Sequence, residues 1–239
     1  MEKSQLDSSV VERTTGMLQS SASRRNFIKT AGLSTALGVG IFAISCKQDE
    51  PSVANDGTVN LGANDTGILN YAYALEQLEA AFYVQVLSTP YAGMSPEETS
   101  ILTDIRDHEI IHRDFFKAAL GNNAIPGLEV NFSTIDFTSR DKVLGAAKLF
   151  EDTGVAAYNG AGKLLKDVNN LLLAGKIVSV EGRHAAAIAD LMRPLTAFFA
   201  GDDIIDSNGL DAAKMPSEIL TAVQPFVKTK INASNLPTS

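Results

Sequence analysis

The stretch "RDHEIIHRDF", Arg106 to Phe115, sets Glu109 and His112 three positions apart with isoleucines between them. Three residues is about one helical turn, so a helix here aims an acid and an imidazole at one patch of space. The pattern recurs in "VEGRHAAA", Val180 to Ala187, where Glu181 precedes His184 by the same three positions. The chain has only three histidines, so finding two of them behind a glutamate at this spacing points to a repeated site. A lone Glu-x-x-His would be weak evidence; two on separate helices are not.

A second repeat extends the first. Laid without gaps over "FEDTGVAAY" (Phe150 to Tyr158), "LEQLEAAFY" (Leu75 to Tyr83) aligns Glu76 with Glu151 and Tyr83 with Tyr158. The seven residues from Glu to Tyr are two turns, which places each pair on one helix face. The mature chain therefore reads as two copies of a helical hairpin, each with Glu on its first helix and Glu-x-x-His on its second.

Helix signals agree with this reading. The first helix is expected from Asp65 through "TGILNYAYALEQLEAAFYVQVLS". Ser95-Pro96-Glu97-Glu98 supplies an N-cap, a first-turn proline and a capping-box glutamate for the second, which runs to about Leu120. Residues 121–139 lack helical period. The third helix opens near Arg140 and continues through Leu165, and after a break around Asn169 the fourth covers roughly Leu171 to Met192. Residues 196–239, with "PSEILTAVQPFVKTKI", are expected to add one or two short helices covering the bundle. Two short connections around one long one predict an all-α four-helix bundle of two antiparallel hairpins, with a long crossover between the second and third helices.

Glu76, Glu109, His112, Glu151, Glu181 and His184 would then converge in an apolar interior. Four carboxylates there would repel one another and lose hydration, at several kcal/mol per ion. Two divalent cations relieve this, with carboxylates bridging and each imidazole capping one ion. Oxygen-rich ligation with one nitrogen per metal suits iron or manganese better than zinc. Glu79, one turn from Glu76, is an alternative first-helix ligand, but its counterpart in the repeat is Gly154, which favours Glu76. His108 has no counterpart, since Val180 stands in the matching place, and reads as a surface or supporting histidine. Tyr83 and Tyr158 read as core residues whose hydroxyls reach a partner, with a redox role as the alternative.

With these motifs in view the chain resembles the ferritin-like superfamily of ferritins, bacterioferritins, rubrerythrins and manganese catalases. It is most similar to exported bacterial ferritin-like domain proteins related to plant desiccation-related proteins. The resemblance rests on "LEQLEAAFY", "HEIIH", "FEDTGVAAY" and "VEGRHAAA" and covers about residues 66–195. It implies a ferritin-like bundle at 65–195 whose six ligands hold two iron or two manganese ions. It also implies redox chemistry with oxygen or peroxide, as a ferroxidase, an oxidase or a catalase-like enzyme. A metal-binding or stress-protective envelope protein without turnover is the alternative.

Residues 1–46 read as separate from this fold. "SRRNFIK", Ser23 to Lys29, and the apolar run up to Cys46 resemble a twin-arginine export signal with a lipoprotein-like cysteine. At about 16 residues the run is shorter than the roughly 20 needed to span a bilayer. Residues 47–64 are polar and rich in Gly, Asn and Asp, and are expected to form a flexible tether. The expected location is thus the periplasm or cell envelope, with a lipid anchor at Cys46 favoured over release. A net charge of −8 argues against nucleic acid as a partner. One cysteine excludes an internal disulfide framework, and self-association stays open.

Overall fold

Apolar and small residues run almost unbroken along α1 (Asn64–Ser88), so no broad face is left for solvent and the helix becomes the buried axis of the molecule. The computed structural model describes residues 50–239; the twin-arginine-like stretch and Cys46 lie outside the described residues. α2 (Pro96–Leu120), α3 (Arg140–Gly162) and α4 (Val168–Met192) complete the bundle. α1 packs chiefly on α2 and α3 chiefly on α4, while α1–α3 and α2–α4 contacts close the square. The architecture is the expected one: an all-α bundle of two hairpins joined by a long crossover, residues 121–139, with short helical turns toward the C-terminus.

The helix ends follow local chemistry. Ser95 and Glu98 form the full capping box at α2, and Glu98 also accepts a 2.5 Å bond from Arg140 Nε. Arg140 donates in turn to the Leu191 carbonyl at 2.7 Å, tying the start of α3 to the end of α4. The α3–α4 break falls a few residues earlier than the sequence suggests. Leu164 and Leu165 tighten into three-residue turns, and Asp167 caps α4 through Asn169 N. Asp65 at the head of α1 accepts from Lys166 N, Asp167 N and Asn170 Nδ2, which holds that turn in place.

The crossover is fastened to α1 by two buried amides seven residues apart. Asn70 donates to the Leu61 and Asn123 carbonyls and accepts from Ile125 N, while Gln77 Oε1 accepts from Leu128 N at 2.8 Å. Farther along, Phe132 and Phe137 of the crossover close around Phe82 of α1, which meets Phe150 of α3 edge-on at 4.9 Å.

The segment expected to be a tether is instead part of the fold from residue 52 onward. β1 (Ser52–Val53) and β2 (Val59–Asn60) form a hairpin, and β2 pairs in parallel with β3 (Ile231–Asn232) near the C-terminus. Val59 and Leu61 are buried by this pairing. Two-residue strands carry no periodic signal, and the partner strand is remote in sequence, so composition alone pointed the wrong way. Gly67 permits the close crossing here, because a Cβ would lie 2.7 Å from both the Gly62 carbonyl oxygen and Leu236 Cδ2. After α4, α5 (Pro216–Val223) buries Ile219 and Val223 against the bundle. Gly160 lets the preceding strand of chain lie on α3, where Lys214 N donates to the Ala156 carbonyl. No helix among the described residues is long and apolar enough to cross a membrane.

Candidate metal centre

All six residues singled out by the repeat meet midway along the bundle. Glu76 comes from α1, Glu109 and His112 from α2, Glu151 from α3, and Glu181 and His184 from α4. The four glutamates are completely buried. They form two overlapping groups, Glu76–Glu109–His112–Glu181 and Glu109–Glu151–Glu181–His184, and within each the ligand atoms lie within 4.8 Å of one another. Glu109 and Glu181, the acids of the two Glu-x-x-His motifs, belong to both groups. Glu76 and Glu151 each belong to one.

The hairpins interlock at this point. Tyr83 of the first hairpin donates to Glu151 Oε1 of the second at 2.5 Å, and Tyr158 of the second donates to Glu76 Oε1 of the first. His112 Nδ1 lies 3.0 Å from Glu181 Oε1 and His184 Nδ1 2.8 Å from Glu109 Oε1, again across the hairpins. These imidazole contacts are close but lack the direction of hydrogen bonds. Among the described residues, Glu76 Oε2, Glu151 Oε2, both oxygens of Glu109 and Glu181, and both imidazole Nδ1 atoms have no hydrogen-bond partner. Buried polar atoms are nearly always paired, so eight atoms without hydrogen bonds gathered in one place form a cluster that could hold a metal ion. The donor set of carboxylate oxygens, with one imidazole nitrogen in each group, fits hard or borderline divalent metals.

Electrostatics tell the same story for the metal-free cluster. Burial, reinforced by the Glu109 charge, pushes Glu76 up to about 7, and burial raises Glu151 as well. Glu181 rises well above the carboxylate range through burial and the charges of Glu109 and Glu76. Glu109 alone goes the other way: burial works against its charge, yet His112 and His184 hold it down to about 2. Burial also opposes charging of the imidazoles, but the carboxylates around them push His112 up to about 12 and His184 to about 10. Two imidazolium rings cannot balance all the acids, so the remainder must take protons or metal cations.

Glu79 is a further acid beside the cluster, outside both groups. It is buried, its Oε2 has no hydrogen-bond partner, and burial together with Glu181, Glu109, Glu76 and Glu151 raises its carboxyl well above the ordinary range. Gly154, its counterpart in the repeat, makes room for it: a Cβ there would lie 3.0 Å from Glu79 Oε1 and 3.5 Å from Glu181 Oε2. Gly182, the other glycine beside a ligand, faces open space. His108 is exposed, but its Nδ1 sits 2.9 Å from His184 Nε2. With His184 Nδ1 turned to the carboxylates, this contact at Nε2 braces the ring from the side away from the cluster. Nothing in the spacing of the sequence announced this contact, because it joins α2 to α4. The tyrosines were legible as paired positions, but their partners on the opposite hairpin were not.

A family model described as a ferritin-like domain matches residues 64–194, from the start of α1 to just beyond the end of α4. A search of curated proteins finds no match.

Proposed function

We propose, for a chain that belongs to the ferritin-like domain family, that the six converging side chains hold two iron or two manganese ions for redox chemistry with oxygen or peroxide. The observation that carries this reading is the set of eight buried ligand atoms without hydrogen bonds, arranged as two groups sharing Glu109 and Glu181. Glu109 and Glu181 would serve both positions, and Glu76 with His112, and Glu151 with His184, would complete one position each. Bound there, the metal pair supplies two electrons and a Lewis-acidic surface for a small oxidant.

The chain's own residues do the rest. Tyr83 and Tyr158 engage one oxygen of Glu151 and of Glu76, leaving the other oxygen of each free for a metal. Full burial of the four glutamates keeps bulk water away, which strengthens every electrostatic interaction in the site. Glu79, whose carboxyl burial and the neighbouring acids raise well above the ordinary range, sits beside Glu181 as a further acid next to the centre. His108 fixes the orientation of His184.

Metal analysis of the protein purified from its own host, followed by anaerobic Fe(II) or Mn(II) loading and assays with oxygen and peroxide, tests the reading. Two metals per chain with turnover supports it. Tight metal without turnover would leave a binding protein, and no metal after loading would leave only a scaffold. The sequence of residues 1–46 further supports export by the twin-arginine route and a lipid anchor at Cys46 in the cell envelope. Substituting Arg24 and Arg25 with lysine should retain the protein in the cytoplasm, and Cys46→Ala should release it from the membrane fraction.

A further inference from the structure

An apolar cavity of about 40 Å³ lies between all four long helices, at the end where α1 and α4 begin and α2 and α3 finish. Its wall reaches the proposed metal centre. Ala72 sits one turn before Glu76 on α1, and Phe116 one turn after His112 on α2. Tyr158, whose hydroxyl bonds Glu76, packs on Phe116 with ring centroids 6.5 Å apart. From the other side the cavity is bounded by Ala161 of α3 and Ala174 of α4.

Size and chemistry narrow what fits. A site needs about 10–15 Å³ to hold one water, so this one admits a molecule of two or three heavy atoms. It falls far short of the roughly 300–1,000 Å³ of pockets for larger organic ligands. A water here would want two to four polar partners. The wall offers chiefly the Tyr71 hydroxyl, buried without a hydrogen-bond partner, while the Asn170 amide is already committed to Asp65. Hydrogen peroxide, with two donors to satisfy, fares no better than water in such surroundings. A neutral, apolar diatomic loses nothing by entering.

We infer that this cavity is a binding site for a small apolar molecule of the dioxygen class, held against the wall of Ala72, Phe116 and Tyr158 that backs the carboxylate cluster, and that it selects against peroxide. The inference rests on the proposed metal centre for its purpose but not for its existence. Xenon, an apolar probe of similar size, separates the two. A crystal of the native chain under xenon pressure should hold xenon beside Tyr158, and Ala161→Leu and Ala174→Leu should each lose it. With anaerobically Fe(II)-loaded protein, both variants should keep the native iron content. Mixing with oxygen should then show oxidation about tenfold slower than native, while peroxide-driven oxidation keeps its native rate. A native cavity without xenon overturns the proposal. So do oxygen rates unchanged in both variants despite lost xenon, or equal slowing with both oxidants. Xenon in a chain that takes up no iron would uphold the binding site while ending the metal reading, so the two fail separately.

Discussion

The two hairpins of the bundle are alike in what they bring to the centre and unlike in what surrounds it. Each contributes Glu, Glu-x-x-His and a tyrosine, and each tyrosine and histidine reaches a carboxylate of the other half. Neither hairpin could assemble the cluster alone. The differences are Glu79 facing Gly154 in the repeat and His108 facing Val180. Both additions sit on the first hairpin yet act on the second: Glu79 lies beside Glu181, and His108 touches His184. A doubled sequence thus yields two overlapping ligand groups with different neighbours, one of which has its imidazole braced from outside.

The strongest way to break the symmetry is to remove a shared acid. Glu109→Ala or Glu181→Ala should empty both positions, taking metal content from two per chain to near none by elemental analysis. Removing a terminal ligand should act on one half. His112→Ala should lose the Glu76 position and His184→Ala the Glu151 position, each leaving about one metal per chain if the halves are as separable as their ligand groups suggest. Equal loss of both metals in every variant would show that the halves bind only as a unit.

The pH response of the metal-free protein probes the shared charge balance. The Glu76 carboxyl, raised from 4.5 to about 7, contributes stability fully present below about pH 4.5 and lost as pH rises through 7. Glu79, Glu151 and Glu181 are raised in the same direction. Glu109, depressed to about 2, contributes stability present above pH 4.5 and lost as pH falls toward 2. His112 and His184, raised to about 12 and 10, contribute stability present below pH 6.5 and lost only in the alkaline range. The metal-free melting temperature should therefore fall as pH climbs from about 4.5 to 7. Saturating Fe(II) or Mn(II) should flatten or reverse the slope, because metal displaces protons from the same carboxylates.

The smallest effect belongs to the Glu79–Gly154 contrast. Alanine in place of a helical glycine is worth up to about 1 kcal/mol where space allows. Gly154→Ala should gain that in denaturant unfolding only in a Glu79→Ala background, because the added Cβ presses on Glu79 Oε1. Glu79→Ala alone should leave both metals bound; if it empties the site, the α1 ligand is Glu79 rather than Glu76.

Much of this is legible in the sequence alone. Helix spans followed from apolar periodicity and from caps such as Ser95–Glu98. The six residues were found because Glu-x-x-His and Glu-x6-Tyr are local spacings that repeat within one chain. The anchors of the crossover, Asn70 and Gln77, were not, since an amide in an apolar run names no partner. The β1–β2–β3 sheet escaped because its strands are too short for alternation and because β2 pairs with a strand on the far side of the whole bundle in sequence.

Local spacing, read along one chain, determined the helices, the hairpin duplication and the faces on which acid and imidazole stand. Which oxygen each tyrosine takes, that histidines meet the opposite hairpin's acids, and that eight ligand atoms end without hydrogen bonds arose from packing the hairpins together. The reason is physical: helical geometry fixes neighbours three, four and seven residues apart, while contacts between helices depend on how four surfaces fit at once.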